Sequence, residues 1–271
     1  MIHLISTIEE ARIDWLPQFV DHYTRLGVDE FHLSVHFEPD TPRERIAHST
    51  ARAEKLLKPF DKTLTAVLVC PYDAHATRSH HDELQSQIAC QDDWILWADI
   101  DEFQVWPDEM RFLLKCAARR RVDYFRGEII DRVSEDGSLT IFNPHTSIWS
   151  QYPRKCHITR DVANAPTQKV ACSKVMIKIT PGNHYAIDHL LLKCDVSLIE
   201  VHHFKWDASV VNRLKRRVLP DWRQRCHWWT ESQALLEHID TCGGRINTVS
   251  TPRSSSWGSA LALRPEGPPE P

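Results

Sequence analysis

The chain has 271 residues, 42% of them hydrophobic and 26% charged, with a formal net charge of −4. That is the profile of a soluble globular protein with room for one large α/β domain or two small ones, and its slight acidity gives no global attraction for nucleic acid. No run reaches the roughly 20 apolar residues of a membrane span. The opening Ile2-His3-Leu4-Ile5 lacks the basic stretch and small-residue cleavage site of a secretion signal, so a cytoplasmic protein is expected.

Ile2 to Ile8 is apolar and reads as a first strand. From Glu9 to Leu26, Trp15, Leu16, Phe19, Tyr23 and Leu26 recur at helical spacing, and Gly27 is placed to end the helix. Phe31, Leu33, Val35 and Phe37 alternate with His32, Ser34 and His36, the period of a strand. Asp40-Thr41-Pro42 opens a helix to about Lys58, because proline suits a first turn. Leu64 to Cys70 follows as a strand and Ser79 to Cys90 as a helix. An apolar run from Trp94 then leads into Asp99-Ile100-Asp101-Glu102-Phe103, and Pro107 opens a helix to about Arg120. This alternation predicts a parallel sheet covered by helices. Beyond it, strands are expected at Val122–Ile130, Leu139–Phe142, Lys174–Ile179 and Ser197–Phe204. Two helices close the fold. Asp207 caps the first, with Val210, Leu214 and Val218 on one stripe, and Thr230 with Gln233 forms a capping box for the second, ending near Gly243-Gly244. From Thr251 the composition turns to Pro, Ser, Gly and Arg, as in disordered tails. The eight cysteines are scattered without a Cys-x-x-Cys, which predicts reduced thiols rather than a zinc ribbon or disulfide scaffold.

The segment from Trp94 to Phe103 carries the most chemical information. In open α/β sheets ligands sit beyond the carboxyl ends of the strands. Asp99 and Asp101, two apart on an extended chain end, would face the same way. Two such carboxylates repel unless a cation lies between them or one binds a proton, so the pair predicts a site for Mg²⁺ or Mn²⁺ with positions left for phosphate oxygens.

Several segments together resemble one family. Trp15 to Val28 is similar to a W-x-x-[YH]-…-L-G-V helix, Ala98-Asp99-Ile100-Asp101-Glu102-Phe103 to a D-x-D-E-F signature, and Gly127-Glu128-Ile129-Ile130-Asp131-Arg132 to a G-x-x-x-D-R element. Gly182-Asn183-His184 resembles a G-x-H turn and His203-Phe204-Lys205-Trp206 a closing H-F-K-W. In this order, over roughly residues 1 to 218, they resemble the GT-A-fold glycosyltransferases, in particular bacterial family 2-like enzymes related to family 92. One departure stands at the first strand's exit, Ser6-Thr7-Ile8-Glu9-Glu10, where many relatives carry Asn before the Glu.

The resemblance implies a GT-A fold: an α/β, Rossmann-like, mostly parallel central sheet with helices on both faces. It also implies one domain over 1–250, with a nucleotide-binding half (1–106) and an acceptor half (107–250), followed by the tail 251–271. The implied activity is transfer of a sugar from a nucleotide-diphosphate donor to a sugar, lipid-linked or small-molecule acceptor. Asp99 and Asp101 would hold the metal, with His203 completing its shell and His202 as rival, and imidazole favours Mn²⁺ over Mg²⁺. Ser6, Thr7 and Glu9 would meet the nucleotide, while His36, Arg78 and Lys205 could touch base, ribose or phosphates. His184 could line the sugar pocket or stabilise its turn. An inverting enzyme needs a general base. Asp131 is the first candidate and Glu128 the second, although Asp131 with Arg132 could equally form a structural ion pair.

Arg213, Lys215, Arg216, Arg217, Arg223 and Arg225 lie near Trp222, Trp228 and Trp229. That pattern is either the solvated face of a helix or a peripheral contact with anionic lipid at the inner membrane face. Two other readings remain. A sugar-phosphate nucleotidyltransferase would need a Gly-rich basic loop after the first strand, where this chain is acidic. A non-enzymatic nucleic-acid or membrane module would rely on the basic C-terminal helix.

Overall fold

Ile2–Glu9 forms β1, whose Leu4 and Ile8 enter one apolar layer while Ile5 enters another. A strand apolar on both sides must be covered on both, and the helices divide accordingly. The computed structural model describes residues 1–188, 190–224 and 228–247, without the side chains of 196–198. Arg225, Cys226 and the tail 251–271 lie outside the described residues.

The helix expected from Glu9 is two pieces. Glu10–Trp15 winds as 3₁₀ helix, and α1 (Leu16–Leu26) begins afresh with Pro17 in its first turn, where a missing N–H costs nothing. Gly27, at φ 101°, closes α1 in the left-handed conformation that glycine adopts without penalty. β2 (Glu30–Phe37), α2 (Arg43–Leu57) and β3 (Ala66–Val69) follow near their expected bounds. α3 (Ala74–Ser86) starts five residues early because Asp73 caps it, accepting from the His75 and Ala76 amides at 2.7 and 3.0 Å.

The acidic segment is not one strand running into its acids. β4 (Trp94–Trp97) stops, Glu102 N–H bonds to the Asp99 carbonyl at 2.9 Å, and β5 (Glu102–Val105) leaves in a new direction. Then come α4 (Met110–Arg119), β6 (Tyr124–Val133), α5 (Ile148–Gln151), β7 (Arg154–Cys156), α6 (Ile158–Asp161), β8 (Gln168–Lys174) and β9 (Cys194–His203). The last helices are α7 (Val210–Arg217), α8 (Pro220–Arg223) and α9 (Trp229–Thr241).

The strands form one curled mixed sheet in the order β3-β2-β1-β4-β8-β6-β9-β5, with β7 on β6. β3, β2, β1, β4, β6 and β9 run one way, and β8, β5 and β7 the other. The fold is thus α/β and Rossmann-like. On one face α1, α2 and α4 pack over Leu4, Trp94 and Leu96, and on the other α3 packs over Ile5, Ile95 and Trp97. α7 and α9 form a third apolar cluster with Val133 and Trp206.

Three expectations fail locally. Leu139–Phe142 is no strand: Thr140 makes one isolated bridge to Asp207, while Phe142 leaves to stack on Trp15 at 4.5 Å. The strand expected at Lys174–Ile179 lies earlier, at Gln168–Lys174, where Lys169 and Ser173 interrupt the apolar pattern. α9 begins at Trp229, ahead of Thr230, and has no side-chain cap, so the capping box does not form.

Gly127 has a packing role. A Cβ there would stand 2.8 Å from Val201 Cγ2 and 3.0 Å from the Ile199 carbonyl, where the β6–β9 register shifts. Gly127→Ala should therefore push the two strands apart and cost about 1–3 kcal/mol, outweighing the smaller entropic gain of alanine. Urea unfolding should show the lower midpoint, and an unchanged or raised midpoint would refute the crowding.

Candidate active site

The carboxyl ends of β1, β2 and β4, with the loops after β8 and β9, open into one cavity of about 350 Å³, within the range of small-ligand sites. Its walls include Thr7 and Glu9 after β1, His36 on β2, Arg78 on α3, Asp99 and Asp101 in the turn after β4, and His203 and Lys205 from the end of β9.

The turn after β4 gives the two aspartates different partners. Asp101, nearly buried, is paired with Arg12 from the 3₁₀ segment, and Arg12 also reaches Asp207 at 3.4 Å. Burial by itself would raise the Asp101 pKa, but Arg12 and then His203 hold the carboxyl well below its usual range. Asp99 turns towards β8, where Lys169 Nζ lies 2.9 Å from Asp99 Oδ2 and 2.6 Å from Glu102 Oε1. Lys169 outweighs burial at Asp99 and lowers its pKa, whereas burial prevails at Glu102 and raises it. About half of the Asp99 side chain (48%) remains exposed to the cavity.

Register decides between the two histidines. His203 pairs with Glu102 across the β5–β9 ladder and faces the acids, with Nε2 3.4 Å from Asp101 Oδ2. His202 turns to the core, fully buried against Trp149 and 2.9 Å from Glu200 Oε2. Lys205 remains on the cavity side and donates to Thr159 Oγ1 at 2.8 Å, its pKa lowered by burial.

Other expected residues fall into place less simply. Thr7 Oγ1 shares a 2.8 Å hydrogen bond with His81 Nε2, His36 Nε2–H donates to the Cys70 carbonyl at 2.8 Å, and Arg78 lies over Trp97 and bonds Asp82 at 2.9 Å. His184 joins the wall and is fixed by Nδ1–H donation to the Gln168 carbonyl at 2.9 Å. Ser6 is buried behind the wall and does not line it.

Neither base candidate faces the cavity. Asp131 is fully buried and accepts from Thr159 N–H at 2.6 Å, Thr159 Oγ1–H at 2.8 Å and Trp206 Nε1–H at 3.0 Å. With its oxygens so committed, it braces Thr159 and Trp206 and has no lone pair presented to an acceptor. It does not pair with Arg132, which donates to the Tyr152 and Pro153 carbonyls instead. Glu128 is exposed outside the cavity wall.

The basic C-terminal segment is divided: Lys215 and Arg223 are exposed, while three arginines of α7 turn to the cavity. Arg213 and Arg216 approach Glu9 at 4.0 and 3.5 Å, and with Arg217 they line the cavity; Arg12 and Arg213 outweigh burial and lower the Glu9 pKa. Trp222 stacks on Tyr72 at 5.9 Å and closes that end. Arg12, Lys169 and the inward turn of α7 are the parts that sequence reasoning missed, and no spacing signal marks them.

Among the described residues no three His, Cys, Asp or Glu side chains converge as a metal-ligand set. The donor chemistry of a divalent-cation site is nevertheless present on one wall. It comprises Asp99 Oδ1, without a partner among the described residues, Asp101 and the His203 imidazole, shared with the cations Arg12 and Lys169. No helix among the described residues is long and apolar enough to cross a membrane. The chain matches no protein-family model and no curated protein sequence.

Burial holds four histidines neutral, with pKa values lowered to about 4 at His22, about 3 at His81, and about 4 at His184 and His202. On acidification the unfolded chain takes up these protons first, near 6.5, so their contribution is complete above that pH and declines towards pH 4. The urea midpoint should therefore fall between pH 7 and 4.5, before the depressed carboxylates Asp99 and Asp101 begin to titrate. A flat midpoint across that window would show the histidines to be solvated.

Proposed function

We propose that this chain is a GT-A-type glycosyltransferase that moves a sugar from a nucleotide-diphosphate sugar to an acceptor hydroxyl in glycan, polysaccharide or glycoconjugate biosynthesis. The observation that carries this reading is the cavity at the carboxyl ends of the parallel strands. Its carboxylates, Asp99 and Asp101, stand among seven cationic side chains: Arg12, Arg78, Lys169, Lys205, Arg213, Arg216 and Arg217. A leaving nucleoside diphosphate gathers negative charge as the glycosidic bond breaks, and fixed cations aimed at it stabilise that charge without reorganisation.

In this reading Lys205 and Arg213 face the diphosphate, Thr7, His36 and Arg78 border the nucleoside, and His184 borders the sugar. Asp99, Asp101 and His203 would hold Mn²⁺ or Mg²⁺, which when bound supplies Lewis-acid stabilisation of the leaving group. Because α7 directs its arginines into the cavity, its charges serve the donor rather than a lipid headgroup. An acceptor presented at the inner face of a membrane would need only peripheral contact by a cytoplasmic enzyme.

Thermal unfolding with UDP-, GDP-, dTDP- and CMP-sugars, each with and without Mn²⁺, tests the reading. A ligand at 100 times its Kd stabilises by about 2.7 kcal/mol, a shift of several degrees for a chain of this size. One donor class should give that shift, larger with Mn²⁺, and Asp99→Asn should remove the metal-dependent part. Asp99 is the informative position because changing Asp101 would also strand the buried Arg12. No shift with any donor, metal present or absent, would overturn the assignment.

A further inference from the structure

We infer that Glu231, on the first turn of α9, is the catalytic base that takes the proton of the acceptor hydroxyl; this rests on the glycosyl-transfer reading above. Five carboxylates line the cavity among the described residues, and four are bound to a cation: Glu9 to Arg213 and Arg216, Asp101 to Arg12, and Asp99 and Glu102 to Lys169. Glu231 is the fifth. It is half-buried and makes no hydrogen bond or ion pair among the described residues. A carboxylate kept in a cavity without a partner has its lone pairs free for a ligand, which the saturated Asp131 does not.

Its setting suits a base. Burial raises the Glu231 pKa, and the charges of Lys205 and Arg217 oppose that rise. A carboxylate drawn upward is a stronger proton acceptor, while the nearby cations and the positive end of α9 keep it ionised. Ser232 and Leu235 on the same helix are buried, Leu235 within the third apolar cluster, and Trp228, Leu214 and Leu235 add apolar surface to the cavity that Glu231 lines. The step is a single displacement. The acceptor O–H proton passes to a Glu231 oxygen as the acceptor oxygen bonds the anomeric carbon, and the anomeric C–O bond breaks with its electron pair leaving on the nucleoside diphosphate. Glu231 then returns the proton to solvent. The sugar leaves with inverted configuration.

The test measures nucleoside diphosphate release from UDP-, GDP- and dTDP-sugars, with water and p-nitrophenyl monosaccharides as acceptors. Wild type is compared with Glu231→Gln and Glu231→Asp. Glu231→Gln should lose about 10²–10⁴-fold in kcat, keep the donor-induced thermal shift, and lose the rising acid limb of the pH profile. Glu231→Asp, which retains a carboxylate, should keep that limb with partial activity and so separates a chemical role from loss of fold. If wild type turns over a donor and Glu231→Gln stays within about fivefold, the base assignment is wrong and glycosyl transfer stands. If wild type releases nucleoside diphosphate from none of the donors, the glycosyl-transfer reading falls and the assignment falls with it.

Discussion

Arg12 is the charge on which the cavity is built. Its guanidinium pairs with Asp101 and reaches Asp207, tying the segment after β1, the turn after β4 and the approach to α7 into one cluster. Taking such charges out of water costs several kcal/mol per ion, and removing one partner of a buried pair strands the other at about 3–5 kcal/mol. Burial would weaken Arg12 as a cation, yet Asp101, Asp207 and Glu9 together raise its pKa. The elements bearing these carboxylates are therefore held in register by mutual need, and the cavity floor is set before any ligand arrives. Lys169 does the same on the other side, spanning Asp99 and Glu102 from β8.

Behind this polar floor stands an aromatic layer. Opposed on the ladder, Glu102 and His203 face the acids while Phe103 and His202 face the core. Phe103 meets Phe19 and Phe204 edge-on, and Trp149 meets Phe103, Phe204 and His202 in the same way. Such contacts add about 0.5–1.5 kcal/mol each beyond area burial and fix ring orientation. The period of two that delivers His203 to the acids is thus the period that locks its neighbours, so the position of the imidazole depends on packing it does not touch.

Local pattern carried the first half of the fold because β1, β2 and α1 announce themselves by period: Leu33 and Val35 alternate with polar residues, and Phe19 and Tyr23 return at helical spacing. The acids at the end of β4 were legible for the same reason, since an apolar run of four buried residues ends just before them. What escaped was every feature defined by a distant partner. Lys169 lies ahead of the strand expected at Lys174–Ile179, and only Asp99 and Glu102, about seventy residues earlier, make a buried lysine tolerable there. The inward turn of the α7 arginines was not legible because their partner is remote: Glu9 lies 207 positions away from Arg216. Asp99 and Asp101 do line one cavity, but the backbone turn between Asp99 and Glu102 gives each its own cation, which an extended chain would not suggest.

That last difference bears on how charge is apportioned in the cavity. Each aspartate is already paired with a cationic side chain, and the described wall carries seven cations against five carboxylates although the whole chain is acidic. Such a cavity attracts an anion by itself, and focusing between low-dielectric walls strengthens the effect. A diphosphate entering it would find cations on three sides, from α7, from β8 and from the 3₁₀ segment. Its charge would compete with Asp99 for Lys169 and with Glu9 for Arg213. Any metal brought with it would gain the carboxylate oxygens that those cations release. On the proposed reading, donor and metal binding would then favour each other through exchange of partners, because the four paired acids keep the cavity's cations from standing unpaired beforehand.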